Sequence, residues 1–213
     1  MGRFFWERPA PAGVEVSALT FPDPAAPDVV GKFFEASAQL RPKRVLEVGT
    51  LQARPGYSSH SRAGFPEIAD EDYVRLDIQA GADVDVVGDL HALPQAWTGR
   101  FDAFIANAVF EHLMRPWVAA KEVSRVLAPG GLFLAQTHQC FPLHGYPNDY
   151  FRFSREALRL VFEDAGLIVE ACDYRGRCAI VPPADIVPPA GLRAWNEEFP
   201  SFILVSAWGR KPG

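Results

Sequence analysis

Two groups of ionisable residues have types and spacings that could do chemistry. In the first, acids sit in or at the ends of short apolar runs: Glu47 inside Val45-Leu46-Glu47-Val48, which Gly49 closes, Asp77 closing Tyr73-Val-Arg-Leu-Asp77, and Asp89 after the alternating Val84, Val86 and Val87. An ionised carboxylate only accepts hydrogen bonds, so acids in such places suit the hydroxyls and amines of a polar ligand. The second group is His138, His144, Asp149, Tyr150 and Arg152. A histidine is suited to move a proton near neutral pH. Asp149 and Arg152, three apart, could touch a substrate, pair with each other, or cap a helix starting at Ser154.

These residues need a scaffold that brings strand ends together. The run around Glu47 is β-branched and too short for a helix, so it reads as a buried parallel strand. Gly49 at its carboxyl end lets a ligand approach the backbone, and open parallel sheets bind ligands outside the carboxyl ends of their strands. A nucleoside cofactor over Gly49, with Glu47 near its polar groups, is one reading; an ordinary strand-to-loop turn is the other. Further strands are expected at Tyr73–Ile78, Gly81–Asp89, Phe101–Asn107, Leu132–Thr137, Leu167–Cys172 and Phe202–Trp208. Helices are expected from Pro27-Asp28 to Arg41-Pro42, with Val29, Val30, Phe33, Phe34 and Leu40 inward, from Pro116 to Ala128, stopped by Pro129-Gly130-Gly131, and after the N-cap Ser154. Alternating strands and helices imply an α/β fold with a mostly parallel sheet and helices on both faces. The last two strands have no clear helix between them and could pair antiparallel at the sheet edge.

The 213 residues, 48% hydrophobic and 22% charged, read as one domain with a sizeable core. Residues 1–26 form an arm rich in proline and aromatics, 43–172 a central core, and 178–201 a proline-rich insertion before the last strand. Arm and insertion could cover a ligand pocket or a subunit interface, that of a homodimer. The formal charge of −5 argues against a nucleic-acid partner. Three cysteines without a CxxC pair read as reduced thiols of a cytoplasmic protein, and no apolar run is long enough for a membrane span or signal peptide.

With these elements placed, the chain resembles class I S-adenosylmethionine-dependent methyltransferases, most of all a small bacterial group found in polysaccharide biosynthesis clusters. Four stretches carry the resemblance: Val-Leu-Glu47-Val-Gly49; Tyr73-Val-Arg-Leu-Asp77-Ile78; Asp102 to Arg125 with Glu111-His112, leading to Gly130-Gly131; and His144-Gly-Tyr146-Pro-Asn-Asp149-Tyr150-Phe-Arg152. The family fold it implies is Rossmann-like, a seven-stranded sheet with strand seven antiparallel. The resemblance implies S-adenosyl-L-methionine as cofactor. Glu47, Gly49 and Thr50 would lie at its methionine part, Asp77 would take both ribose hydroxyls with Ile78 beside it, Asp89 and Leu90 would flank the adenine, and Asn107 and Ala108 would line the sulfonium region. It departs from the family pattern after Gly49, where Thr50, Leu51, Gln52, Ala53 and Arg54 precede the next glycine, Gly56; Thr50 and Gln52 stand as replacements.

Methyl transfer from a sulfonium is an in-line displacement that gains from alignment and, for a hydroxyl nucleophile, from a general base. His138, His144 and Asp149 are the catalytic candidates, His138 first because it directly follows a strand's carboxyl end. His112, Tyr146, Tyr150 and Arg152 are the substrate candidates. His138, His144 and Asp149 also have a metal-ligand composition, but the family mostly works without a metal and none is expected. The function implied is methylation of an oxygen or nitrogen of a small molecule, such as a sugar or glycan precursor. The alternatives are a non-catalytic methyltransferase-like binding protein or a nicotinamide-dependent Rossmann enzyme, the latter disfavoured by the lack of Gly-x-Gly-x-x-Gly after the first strand.

Overall fold

A computed structural model describes residues 19–22, 28–53, 55–145 and 148–213. Seven strands form one sheet: β1 (Val45–Val48), β2 (Tyr73–Asp77), β3 (Val86–Val87), β4 (Phe101–Asn107), β5 (Leu127–His138), β6 (Ile168–Cys178) and β7 (Ser201–Arg210). Their spatial order is β3-β2-β1-β4-β5-β7-β6. β1 pairs in parallel with β2 and β4, β2 with β3, and β4 with β5, while β7 is antiparallel to both β5 and β6. The expected antiparallel pair is present, but β7 lies inside the sheet and β6 forms its edge.

Four helices are described: α1 (Val29–Leu40), α2 (Pro116–Val126), α3 (Arg155–Glu163) and α4 (Leu192–Glu198). Asp28 caps α1 by accepting from Gly31 N at 3.0 Å, and Ser154 caps α3 by accepting from Ala157 N at 3.1 Å. Alternation along β1 splits the core into two layers. Leu46 and Val48 join Phe104, Phe133, Val123, Leu158 and Phe162 on the face covered by α2 and α3. Val45 joins Phe33, Tyr73, Ile105 and Leu134 on the face covered by α1.

Four expectations need correction. Leu40 is 43% exposed at the end of α1, where Arg41 turns to a φ of 52° and breaks the helical face. The third strand shrinks to Val86–Val87, because Asp83 takes a φ of 67° and Asp85 turns its carboxylate onto Arg75. Pro129-Gly130-Gly131 lies within β5, which begins at Leu127 where α2 has already ended, so it does not stop the helix. Gly130 N donates to Lys211 O and Lys211 N to Gly131 O, so this segment pairs with the chain beyond β7. The proline-rich insertion contains α4, whose buried Asn196 bonds Ile180 N, Ile180 O and Leu192 O. The arm, 1–26, falls outside the described residues except for 19–22; there Phe21 is buried under Arg177.

Candidate active site at the carboxyl ends of the central strands

At the end of β1 the chain turns through Gly49, with φ at +75°. A Cβ there would lie 2.3 Å from Val109 Cγ2, so the loop after β4 packs directly on this glycine. Asp77 ends β2 with both oxygens in use: Leu51 N donates to Oδ2 at 3.1 Å and Gln79 N to Oδ1 at 3.0 Å. Two carboxylate oxygens offer about four acceptor positions, so Asp77 keeps capacity for a diol while anchoring the loop beside it. Ile78 next to it is 53% exposed, an apolar surface beside a carboxylate. Thr50 is buried and donates to Asp83 O at 2.8 Å. Leu51 Cδ1 packs over Gly81, within 2.3 Å of where a Cβ would sit. Asp83 accepts from Ser58 Oγ at 2.5 Å and Gln52 Nε2 at 2.8 Å, tying the Gly49 loop down; these bonds, Ser58 foremost, hold its carboxyl below the usual range.

Glu47 is placed differently from the ligand-facing role expected of it. It lies buried on the α1 side of the sheet, where its carboxylate accepts from Ser61 N at 2.9 and 3.0 Å, Ser61 Oγ at 3.0 Å and Tyr73 OH at 2.5 Å. The strand's alternation decides this: Leu46 and Val48 take the other face, and Glu47 must follow Val45 and Tyr73. Burial pushes the carboxyl of Glu47 up, and burial beside Glu47 pushes the Tyr73 phenol up as well. Asp89 is half exposed and accepts from His91 N at 2.9 Å and from His91 Nδ1 at 2.7 Å, while Leu90 is buried in the core. Asn107 is exposed at the tip of β4, and Ala108 follows with φ at 53°, its N–H donating to Gln136 O at 2.9 Å.

The second group converges on one carboxylate. Glu111, in the short turn Phe110–His112 after β4, is fully buried. Thr137 Oγ1 donates to its Oε2 at 2.6 Å. His138, the last residue of β5, sets Nδ1 2.6 Å from Glu111 Oε1. Both atoms are buried, and among the described residues neither meets the geometry of a hydrogen bond despite that short approach. His112 Nε2 and His144 Nε2 face the same oxygen at 3.9 and 4.0 Å. The rings of His112 and His144 meet edge-on at 4.8 Å, those of His138 and His144 at 5.3 Å, and Phe141 stacks on His138 at 4.2 Å. Burial works to raise the Glu111 carboxyl, but His138 and Thr137 outweigh it and hold the group below its ordinary range.

The segment carrying His144 is fixed from both sides. Tyr150 N and Phe151 N donate to Glu111 O at 2.8 and 3.1 Å, and Phe153 N donates to His138 O at 3.0 Å. Arg152 grips Asp149 through Nη1 at 2.5 Å and Nη2 at 2.7 Å and also donates to Phe141 O and Pro142 O. Asp149 further accepts from His144 N at 2.8 Å. Arg152 first, and then these other bonds, hold Asp149 far below the usual carboxylate range. Asp149 and Arg152 therefore build the loop that presents His144, and neither is left free to meet a substrate on its own. Tyr150 is 45% exposed beside them; Tyr146 lies outside the described residues.

Glu111 was not among the site residues expected from the sequence. The available signal was an acid one turn beyond a strand whose parallel neighbour ends in a histidine. Cys178 lies beside Cys140, and burial followed by that neighbour pushes the Cys178 thiol up to about 12.

Residues 67–135 match the methyltransferase-domain family. No curated protein matches the chain by sequence. Among solved structures, a provisionally assigned methyltransferase of Bacillus halodurans is similar at 18% identity, with 88% of this chain and 100% of that one covered and a TM-score of 0.57. A S-adenosylmethionine-dependent methyltransferase of Archaeoglobus fulgidus is similar at 15% identity, with 86% and 96% covered and a TM-score of 0.53. The 1,6-didemethyltoxoflavin-N1-methyltransferase of Burkholderia thailandensis, solved with 1,6-didemethyltoxoflavin and S-adenosylhomocysteine, is similar at 14% identity, with 92% and 94% covered and a TM-score of 0.53. At these identities the structural likeness speaks for the fold. The methyltransferase-domain match runs from β2 into β5, and the positive-φ glycine after β1 and the carboxylate ending β2 stand at the carboxyl ends of the same sheet, whose fold is that of the methyltransferases to which it is similar.

Proposed function

We propose that the chain moves the methyl group of S-adenosylmethionine to an oxygen or nitrogen of a small molecule, a sugar or glycan precursor, in the cytoplasm. The observation that supports this reading best is the buried Glu111–His138 contact at the carboxyl ends of β4 and β5, two residues along from the Val109 that packs on Gly49. In this reading the contact serves as a proton-accepting group next to the loop that would hold the cofactor.

In this reading Asp77 holds the ribose diol through its remaining acceptor positions, with Ile78 exposed beside the base and Asp89 near the exocyclic amine. Asn107, Ala108 and Thr50 border the methionine and sulfonium region. The bound cofactor supplies an electrophilic methyl carbon. The acceptor lies against His112, His144 and Tyr150, and its lone pair attacks in line as the carbon–sulfur bond breaks with its electrons on sulfur. Holding the two centres in line is the larger share of the acceleration. His138 takes the acceptor's proton, and Glu111 fixes the ring and stabilises the imidazolium; such a base contributes on the order of a hundredfold or more.

His138→Ala tests this. S-adenosylhomocysteine affinity by titration calorimetry stays within about twofold, while methyl transfer to a responsive acceptor falls about a hundredfold. Equal turnover in the variant removes His138 from the chemistry.

A further inference from the structure

We propose that Glu111, His138 and His144 hold a divalent transition-metal cation, zinc first, with His112 as the fourth protein ligand. This rests on the methyltransferase reading and the place of the acceptor given above, and it replaces the role of His138 there: with the cation bound, His138 is a ligand and the cation activates the acceptor.

Among the described residues, Glu111, His138 and His144 bring one ligand atom each to within 4.8 Å of one another. The two atoms at the centre, Glu111 Oε1 and His138 Nδ1, are both buried, and among the described residues both lack a partner in hydrogen-bond geometry. Buried polar atoms are nearly always satisfied, and two that face each other without such a bond define a place where a third body can bond both.

The other two histidines are oriented as ligands by what their far nitrogens do. His112 Nδ1 lies 2.6 Å from Asn148 O. His144 Nδ1 lies 3.1 Å from Pro142 O and 3.3 Å from Asp149 Oδ2. Only an N–H can serve a carbonyl, so both rings carry a proton on Nδ1, which leaves Nε2 as the nitrogen facing Glu111 Oε1, from 3.9 and 4.0 Å. A ring proton donated to a carbonyl or carboxylate is the usual support of a metal-bound imidazole. The Asp149–Arg152 lock on the same loop adds the next layer of support. An imidazole-rich set with one carboxylate suits zinc, iron or copper rather than magnesium or calcium.

A cation here coordinates the acceptor's hydroxyl. The oxygen–hydrogen bond breaks, the proton leaves to solvent water, and the metal-held oxygen attacks the methyl carbon while the carbon–sulfur electrons remain on sulfur. His138 is then a ligand, and proton removal no longer requires it as a base.

The test uses the tag-free full chain, stripped with chelator and titrated with ZnCl2, then with CoCl2 followed by visible absorption. One zinc per chain and cobalt d–d bands of a four- or five-coordinate nitrogen and oxygen site are expected. Glu111→Gln and His144→Ala, each checked for folding by circular dichroism, should weaken zinc about 10–100-fold. His144 is partly exposed, so its variant keeps the test open should Glu111→Gln fail to fold. No zinc uptake, or uptake that both variants share equally with the parent chain, overturns the site. S-adenosylhomocysteine titrated into the same stripped protein reports on the methyltransferase reading separately. Chelated enzyme that still transfers methyl at full rate overturns the cation's role in activation.

Discussion

Gly49→Ala is the substitution whose cost the structure sets most closely. The residue adopts φ +75°, where a side chain costs about 1–2 kcal/mol. The new Cβ also falls 2.3 Å from Val109 Cγ2, so Val109 must move in a packed loop, an overpacking cost of about 1–3 kcal/mol. Together these come to about 2–5 kcal/mol, a drop in Tm on the order of 10 °C for a chain of this size. The two parts separate in a double-mutant cycle with Val109→Ala. Trimming Val109 relieves the contact but leaves the backbone strain, so thermal and urea unfolding should give a coupling of about 1–3 kcal/mol. The double variant should stay about 1–2 kcal/mol less stable than Val109→Ala alone. Strict additivity would show that Gly49 and Val109 do not touch, and with that the link between the cofactor loop and the Glu111 turn would be lost.

Further outcomes concern the supports of the site. Asp83, held low chiefly by Ser58, stabilises the fold above the ordinary aspartate value of about 3.9 and stops doing so as pH falls through its lower folded value. The urea midpoint of Asp83→Asn should therefore change less than that of the parent chain between about pH 6 and pH 3; parallel curves would refute the tether. Cys172, buried on β6, has its thiol pushed up to about 12. At about pH 8.5, where an ordinary thiol is half ionised, iodoacetamide should spare it in the native chain and modify it in urea, as read by mass spectrometry. In Gly209→Ala a Cβ would meet Ile168 O at 2.0 Å and Phe133 Cε1 at 2.8 Å between two paired strands. Neither backbone nor ring can yield cheaply, so this variant should be insoluble or lose on the order of 3 kcal/mol; a normal Tm would contradict the β6–β7 pairing.

Strand identity was legible wherever apolar runs were clean. Phe101–Asn107 reads directly from its residues because both its faces are buried. Strand length was less legible, since hydropathy cannot see that the chain beyond β7 gives Gly130 and Gly131 partners or that Arg75 draws Asp85 out of alternation. The side to which an acid in a buried strand points depends on which face its neighbours fill, and Glu47 shows the consequence. Tyr73 and Ser61, remote in sequence, satisfy its charge on the α1 side. The histidines announced themselves by type, but the focus they share did not. Glu111, His138 and His144 meet only because β4 and β5 are adjacent and Arg152 folds the intervening loop back over them. α4 was hidden in the proline-rich insertion, where no helical pattern was read.

Calorimetric titration of S-adenosylhomocysteine into the parent chain and into Asp77→Ala bears most directly on the cofactor site. One molecule should bind per chain, and the loss of charge-assisted bonds to the ribose should weaken it about 10–100-fold in the variant. Circular dichroism checks that the chain stays folded once Leu51 N and Gln79 N lose their acceptor. Equal affinity in the two proteins, or no binding to the parent chain at all, would contradict an adenosyl pocket at the ends of these strands.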